Sequence, residues 1–244
     1  MGIDGASESR MTLVLAFHKI GNPPEDGWDT WNYIGSEIFE GYLQLLHDEC
    51  YHVLDLYTFL EGLKNPSELP ARSALLTFDD GYQSMLRIAQ PILSRFGVPS
   101  VCFVPTNYVG GHNTWDFGNE PKEPICDWDE LRELHRRGVV IQSHSVSHRS
   151  FSEFDAGSLH YELKESKDRL EEELGTAIDS LAFPYGDNGA DADATDAALA
   201  AAGYQAAFLY KGGSLQLPAS NPFRITRIPM GPDTNLLKHM GGKE

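Results

Sequence analysis

Ser73-Ala74-Leu75-Leu76-Thr77-Phe78-Asp79-Asp80-Gly81-Tyr82 is a short apolar run that stops abruptly at two adjacent carboxylates and a glycine. A buried strand delivers acidic side chains to the edge of a sheet in this way, and that edge is where α/β enzymes carry their chemistry. Neighbouring aspartates repel each other unless a cation or a proton is shared between them. The pair therefore asks for a partner elsewhere in the chain, although Asp80-Gly81 read alone also fits a simple turn and helix cap.

Outward from this stretch, strand-like and helix-like segments alternate. Apolar runs at 12–17, 75–78, 98–104, 139–142, 180–183, 204–209 and 223–228 read as strands. Segments 36–50, 58–63, 82–96, 128–137, 158–174 and 191–202 read as helices, with Ser36 and Asp127 as caps and Pro91 bending or restarting the third. Segments 21–33 and 106–124 are loops of the kind that frame binding sites. The aspartates between 187 and 196 lack calcium-loop spacing and read as loop and helix-start residues. Such alternation implies a largely parallel sheet, open or closed into a barrel. His18, Asp79-Asp80, His144 and Pro184-Tyr185 each follow a separate apolar run, so a parallel sheet gathers all of them on its carboxyl-end face.

Composition sets the outer bounds. A chain of 244 residues with 41% hydrophobic and 23% charged residues is long enough for one core. We expect a polar tail at 1–10, a single domain at 11–230 and a C-terminal tail at 231–244. The formal charge of −17 argues against nucleic acid or an anionic membrane as partner; a neutral or cationic ligand fits better, although the acidity also fits a role in solubility alone. Cys50, Cys102 and Cys126 are far apart and form no C-x-x-C pair, which suggests neither a disulfide framework nor a thiolate zinc site. With no signal-like start and no run of 18 apolar residues, the expectation is a chain without membrane insertion, cytoplasmic as given unless an export signal has been removed. Nothing in the sequence indicates an oligomeric state.

His144-Ser145-Val146-Ser147-His148 offers the missing cation site. Two imidazoles four residues apart just beyond a strand would, on one helical turn, aim at a single point. With one of the two aspartates they make a two-histidine, one-carboxylate set that leaves coordination positions open, as catalytic rather than structural zinc requires.

Thr77-Phe78-Asp79-Asp80-Gly81, His144-Ser145-Val146-Ser147-His148 and Phe183-Pro184-Tyr185-Gly186 resemble, in order, the first three motifs of the polysaccharide deacetylases, the carbohydrate esterase family 4 or NodB-homology domains. The resemblance runs from about Leu13 to about Met230, and its first two motifs together are highly specific. It implies an α/β fold, a distorted (β/α) barrel of about seven parallel strands, and one divalent metal, usually zinc, with cobalt or nickel as alternatives. Carried over by position, Asp80, His144 and His148 bind the metal, Asp79 is the general base, and the Tyr185 backbone N–H helps to hold the oxyanion.

The chain departs from the commonest pattern twice. The third motif normally carries an arginine shortly before its proline, and Ser180-Leu181-Ala182-Phe183 has none; Arg227 or Arg224 on the last strand is the expected substitute. The closing Leu-x-His motif matches only Leu237-Lys238-His239, in a polar stretch with no strand before it. Leu15-Ala16-Phe17-His18 is the better match, similar to a subgroup resembling the poly-N-acetylglucosamine deacetylases in which this motif has moved to the N-terminus; His18 would then be the general acid. Asp127-Trp128 resembles the fourth motif, although a helix cap and a packing tryptophan account for both residues equally well. Pro184, Trp115, Asp116 and Arg227 complete the expected substrate-binding set with Asp127 and Trp128, and Trp28 and Trp31 are further groove candidates.

The resemblance implies metal-dependent hydrolysis of N-acetyl groups from an N-acetylglucosamine-containing polysaccharide or oligosaccharide. The alternatives are a metal hydrolase of another acyl substrate, such as a small cyclic amide, a peptidoglycan amide or an acetyl ester, and a carbohydrate-binding module without catalysis. The last has no use for a base beside a metal.

Overall fold

Every residue of the stretch Ser73–Phe78 is buried, as in a parallel strand covered on both faces, whose sequence is apolar throughout rather than alternating. The computed structural model describes residues 10–241; the tail expected at 1–10 lies almost wholly outside them. In chain order the strands are β1 (Arg10–Phe17), β2 (Lys19–Ile20), β3 (Tyr33–Ile34), β4 (His52–Val53), β5 (Ser73–Phe78), β6 (Ser100–Val104), β7 (Val139–Ser143), β8 (Ser180–Ala182), β9 (Ala206–Phe208), β10 (Leu215–Leu217) and β11 (Ile228–Pro229). The helices are α1 (Ser36–Asp48), α2 (Leu56–Lys64), α3 (Gln90–Phe96), α4 (Trp128–Arg136), α5 (Ala156–Leu174), α6 (Ala192–Ala202) and α7 (Leu236–His239).

The main sheet runs β10-β1-β5-β6-β7-β8-β9, with only β10 antiparallel to its neighbour. It curls until its ends are joined by one segment: Ile225 bridges to Phe208 after β9, and β11 pairs in parallel with Leu15 and Ala16 of β1. The result is the expected distorted (β/α) barrel. Alternate strand residues form two apolar layers. Leu15, Leu76, Cys102 and Ile141 face the outer layer beneath α1 and α3 to α6, while Val14, Leu75, Val101, Phe103 and Phe208 fill the inside of the curl, which Leu56, Phe59 and Leu60 of α2 plug.

Several local expectations change. Gly35, not Ser36, occupies the N-cap of α1, so Ser36 is already helical and its hydroxyl makes no cap bond. Pro91 does restart its helix: a π-helical turn over Met85–Ala89 precedes α3, because the proline has no N–H to offer the turn before it. Residues 231–240 do not form a tail. Tyr42 Oη donates to Gly231 O at 2.7 Å, and Leu236 is buried in the outer layer. Among the described residues no helix is long and apolar enough to cross a membrane.

The segment after β7 differs most from expectation. His144 and His148 do not lie on a helical turn; they are carried by an irregular loop in which Ser145 and His148 take left-handed backbone angles, φ 66° and 53°. Helix α5 holds this loop through Glu162, whose buried carboxylate accepts the N–H groups of both Val146 and Ser147 at 2.9 Å. From the other side, the N–H groups of Thr106 and Asn107 donate to the carbonyls of Ser145 and Val146. A helix-period reading sees only the charged surface of α5 and misses this inward acid. Glu162→Ala strands one buried and one half-buried donor, and a stability loss of about 1–3 kcal/mol is expected in denaturant melts; Glu162→Gln, which keeps a carbonyl acceptor, should retain most of that stability.

Candidate active site

At the carboxyl ends of β1, β5, β7 and β8, His18, Asp79, Asp80, His144, His148 and Tyr185 surround one cavity of about 130 Å³. Asp79 and Asp80 are almost fully buried. They are separated in function by what each faces. Asp79 is gripped by Arg227, whose Nη1 and Nη2 donate to its Oδ1 and Oδ2 at 2.7 Å each. Asp80, in a left-handed conformation at φ 74°, turns instead toward the histidines.

Asp80 Oδ1 lies 3.3 Å from His144 Nε2 and 3.1 Å from His148 Nε2. These contacts lack hydrogen-bond alignment, so Oδ1 is buried without a donor. One ligand atom from each of the three residues falls within 4.8 Å of the others. His144 Nδ1 sits 2.7 Å from Ala182 O, which takes its N–H and leaves Nε2 with a lone pair toward Asp80, the tautomer a metal ligand needs. Two imidazoles and an unsatisfied carboxylate oxygen, converging and shielded, fit a divalent cation.

The charges follow from burial and neighbours. Burial works against ionising Asp79 and Asp80, but Arg227 outweighs it at the first and His148 with His144 at the second; both carboxyls stay below the usual aspartate range, Asp80 well below. At His144 burial is overcome by Asp80 and Asp79, which hold its pKa above the ordinary value. At His148 burial prevails over Asp80 and lowers it. His18 is likewise lowered, burial outweighing the two aspartates.

Not every expected residue is in the cavity. Trp115 and Asp116 line it, Trp115 stacking on His148 with ring centroids 4.3 Å apart, and Tyr185 stands edge-on to His148 from the other side. Pro184 is buried and does not line the cavity, although its neighbours Phe183 and Tyr185 do. Asp127 and Trp128 are elsewhere: Asp127 completes a capping box with Glu130 at the start of α4, and Trp128 packs on the outer layer under Arg169. Arg227 is fully buried and reaches no substrate; its contacts are Asp79, Thr77 Oγ1 and Leu209 O. Arg224 is spent on Asp193 and Asp196 at the surface. His239 lies in α7, outside the cavity that His18 lines.

Asn32, Tyr82 and Tyr210 also line the cavity, and the sequence reading passed over them. Tyr210 was within reach, because it directly follows an apolar run, as the other site residues do. Its ring meets His18 edge-on at 4.9 Å, and its hydroxyl is buried with no partner among the described residues. Gly186 makes room for it: a Cβ there would come within 2.6 Å of the Tyr210 nitrogen.

Asp116, half-buried, has its pKa raised from 3.8 to about 6, by burial first and by the Asp80 charge next. The folded state thus binds this proton more tightly than the unfolded chain, and stability falls as pH climbs between those two values. In chelated protein, Asp116→Asn should remove that part of the slope: melting temperatures matched to the parent near pH 4 and higher than the parent at pH 7.

The sequence matches the family description "Polysaccharide deacetylase" over residues 67–207. The poly-beta-1,6-N-acetyl-D-glucosamine N-deacetylase of Staphylococcus aureus is 26% identical over 165 residues, 64% of this chain and 54% of that protein. The chain spans about half the length of the curated relatives it matches. Among solved structures, the Streptococcus pyogenes deacetylase PplD in complex with acetate superposes with a TM-score of 0.78 at 23% identity, covering 94% of this chain and 98% of that one. IcaB from Ammonifex degensii gives 0.78 at 22% identity over 92% and 93%. The barrel, and a family match that runs from before Asp79 to beyond His148 and Tyr185, make this chain a member of the polysaccharide deacetylase family.

Proposed function

We propose that this chain hydrolyses N-acetyl groups from an N-acetylglucosamine-containing glycan, releasing acetate. The observation that carries the reading is the division of labour between the two aspartates: one fixed as an ionised carboxylate by Arg227, the other joined to two histidines in a three-donor set. Family membership supports it, as does the printed activity of the Staphylococcus relative. The cavity is below the roughly 300–1,000 Å³ of sites that enclose a whole small ligand, which suits an acetamido group entering while the sugar stays at the rim.

Asp80, His144 and His148 would hold one divalent cation, zinc on this donor set, with cobalt or nickel as alternatives. Such an ion supplies positive charge to polarise an acetamide carbonyl and to acidify water. The remaining steps belong to the chain's own groups. Asp79, aimed by Arg227, takes a proton from the attacking water. The Tyr185 N–H donates to the developing oxyanion, a contact worth about 3–4 kcal/mol at other oxyanion holes. His18, in its protonated form, donates that proton to the leaving nitrogen and is left as the neutral imidazole. The Tyr210 hydroxyl, buried and without a partner among the described residues, donates to the substrate at the same wall.

The deciding assay is acetate release from β-1,6- and β-1,4-linked N-acetylglucosamine oligomers by chelated protein, before and after zinc, cobalt or nickel is restored. Metal-dependent release is expected; none from protein shown to hold metal would move the reading to another acyl substrate. Asp80→Ala and His148→Ala should lose metal and turnover together. Asp79→Asn should keep metal yet lose turnover by about 10²-fold or more. Tyr210→Phe should lower kcat by about tenfold, the loss of one hydrogen bond, with metal content unchanged by elemental analysis.

A further inference from the structure

Loops 21–33 and 106–124 meet beside the catalytic cavity and enclose a second one of about 380 Å³, lined by Pro24, Asp26 and Trp28 from the first loop and Phe117, Pro121 and Lys122 from the second. We propose that this cleft is a saccharide subsite, holding the unit of the glycan next to the one whose acetyl group enters the catalytic cavity. The proposal rests on the deacetylase reading above.

Three observations carry it. The first concerns exposed aromatic rings. Phe117 is 92% exposed and Trp28 48%, and neither stacks on another ring among the described residues. Their neighbours differ: Trp31 donates to Asp233 Oδ1 and lies against Gly231, and Trp115 stacks on His148. Exposed rings on both walls of a cleft offer apolar faces to the C–H face of a pyranose. The carboxylate of Asp26 and the ammonium of Lys122 have no hydrogen bond or ion pair among the described residues, and they supply an acceptor and a donor for sugar hydroxyls.

The second is that the cleft is preformed. Glu120, in the second loop, accepts Lys19 Nζ at 2.7 Å and Thr30 Oγ1 at 2.6 Å on one oxygen and Asn32 Nδ2 at 2.8 Å on the other. Tyr33 Oη donates to Glu123 at 2.8 Å. Gly27 sits between Pro24 and Pro121, where a Cβ would come to 3.0 and 3.1 Å of their rings. A cleft fixed in this way costs little ordering when it binds.

The third is continuity. Asp116 lines the catalytic cavity and Phe117, the next residue, lines the cleft; Asn32 lines the first and bonds to Glu120, which lines the second. Consecutive residues of one loop thus line the two cavities, side by side. That adjacency suits the adjoining unit of one glycan.

The test compares Trp28→Ala, Phe117→Ala and the double variant with the parent on a methyl glycoside of N-acetylglucosamine and on its tetramer. For each single variant the ratio of kcat/KM on tetramer to kcat/KM on monomer should fall about tenfold, as for one aromatic contact, with the change in KM. In parallel, tetramer is titrated into Asp79→Asn protein and the intrinsic fluorescence followed; a saturable change that shrinks to the Trp115 contribution when Trp28→Ala is added supports the subsite. An unchanged ratio in active variants, or an equal fall on both substrates, overturns the subsite and leaves the deacetylase reading intact. If the parent turns over no glycan but the Trp28-dependent signal persists, the cleft stands and the reaction assigned beside it does not. Absence of both signals overturns the proposal.

Discussion

A guanidinium with no exposure to water must meet a carboxylate held in one orientation, and this pair, Arg227 with Asp79, is the constraint around which the site is arranged. Removing two charges from water costs more than their attraction returns unless the geometry is excellent and the other donors are satisfied. Both conditions hold: the pairing is bidentate, and Arg227 spends further N–H groups on Leu209 O and Thr77 Oγ1 while its plane lies near the rings of Phe103 and Tyr210. Arg227 sits between Ile225, which bridges to Phe208, and Ile228, which pairs with Leu15. Closing the barrel and aiming Asp79 are therefore the same event. The arginine missing before Pro184 is replaced by one that the closing segment inserts from the far end of the chain.

Once Asp79 is committed to Arg227, Asp80 has to face the other way, and the backbone carries the cost. Among the described residues, non-glycine positions with positive φ are Cys50, Asp80, Ser145, His148 and Tyr185, so four of these five border or position the proposed metal and oxyanion groups. Each such residue costs on the order of 1–3 kcal/mol and persists only where neighbours over-determine it. Glu162 does so for the histidine loop by accepting two N–H groups, and Gly186 does so beside Tyr185 by letting the Tyr210 backbone approach.

This division also explains which parts could be read from the sequence. Strands buried on both faces are continuous apolar runs, so β1, β5, β6 and β7 and the residues at their ends, His18, Asp79, Asp80 and His144, were legible, while closure into a barrel came from the family resemblance and not from the runs themselves. The relation of His148 to His144 was legible in spacing but not in conformation, because a left-handed residue leaves no mark when it is a histidine rather than a glycine. Arg227 and Arg224 looked alike from composition. What separates them is burial, which depends on a closure between segments far apart in the chain. Asp127 and Trp128 failed for the opposite reason: a local signal sufficient for a helix cap was also sufficient for a motif, and only the position of α4 distinguishes the two.

The rim obeys the same logic as the floor. Lys19 directly follows His18, is 2% exposed, and lies over the rings of Tyr33 and Tyr82 at 4.8 and 5.0 Å with its ammonium on Glu120. Lifting the 106–124 loop off the 21–33 loop would leave that buried ammonium without its carboxylate, the costly way to break an ion pair. The loop is further stiffened from within, where Asn113 donates to Pro121 O and accepts the Glu123 N–H. These bonds tie the two loops together as the walls of the entrance. One strand end thus delivers both the histidine that lines the cavity and the lysine that sets the shape of the entrance, so a change that displaced the rim would also move the chain next to His18.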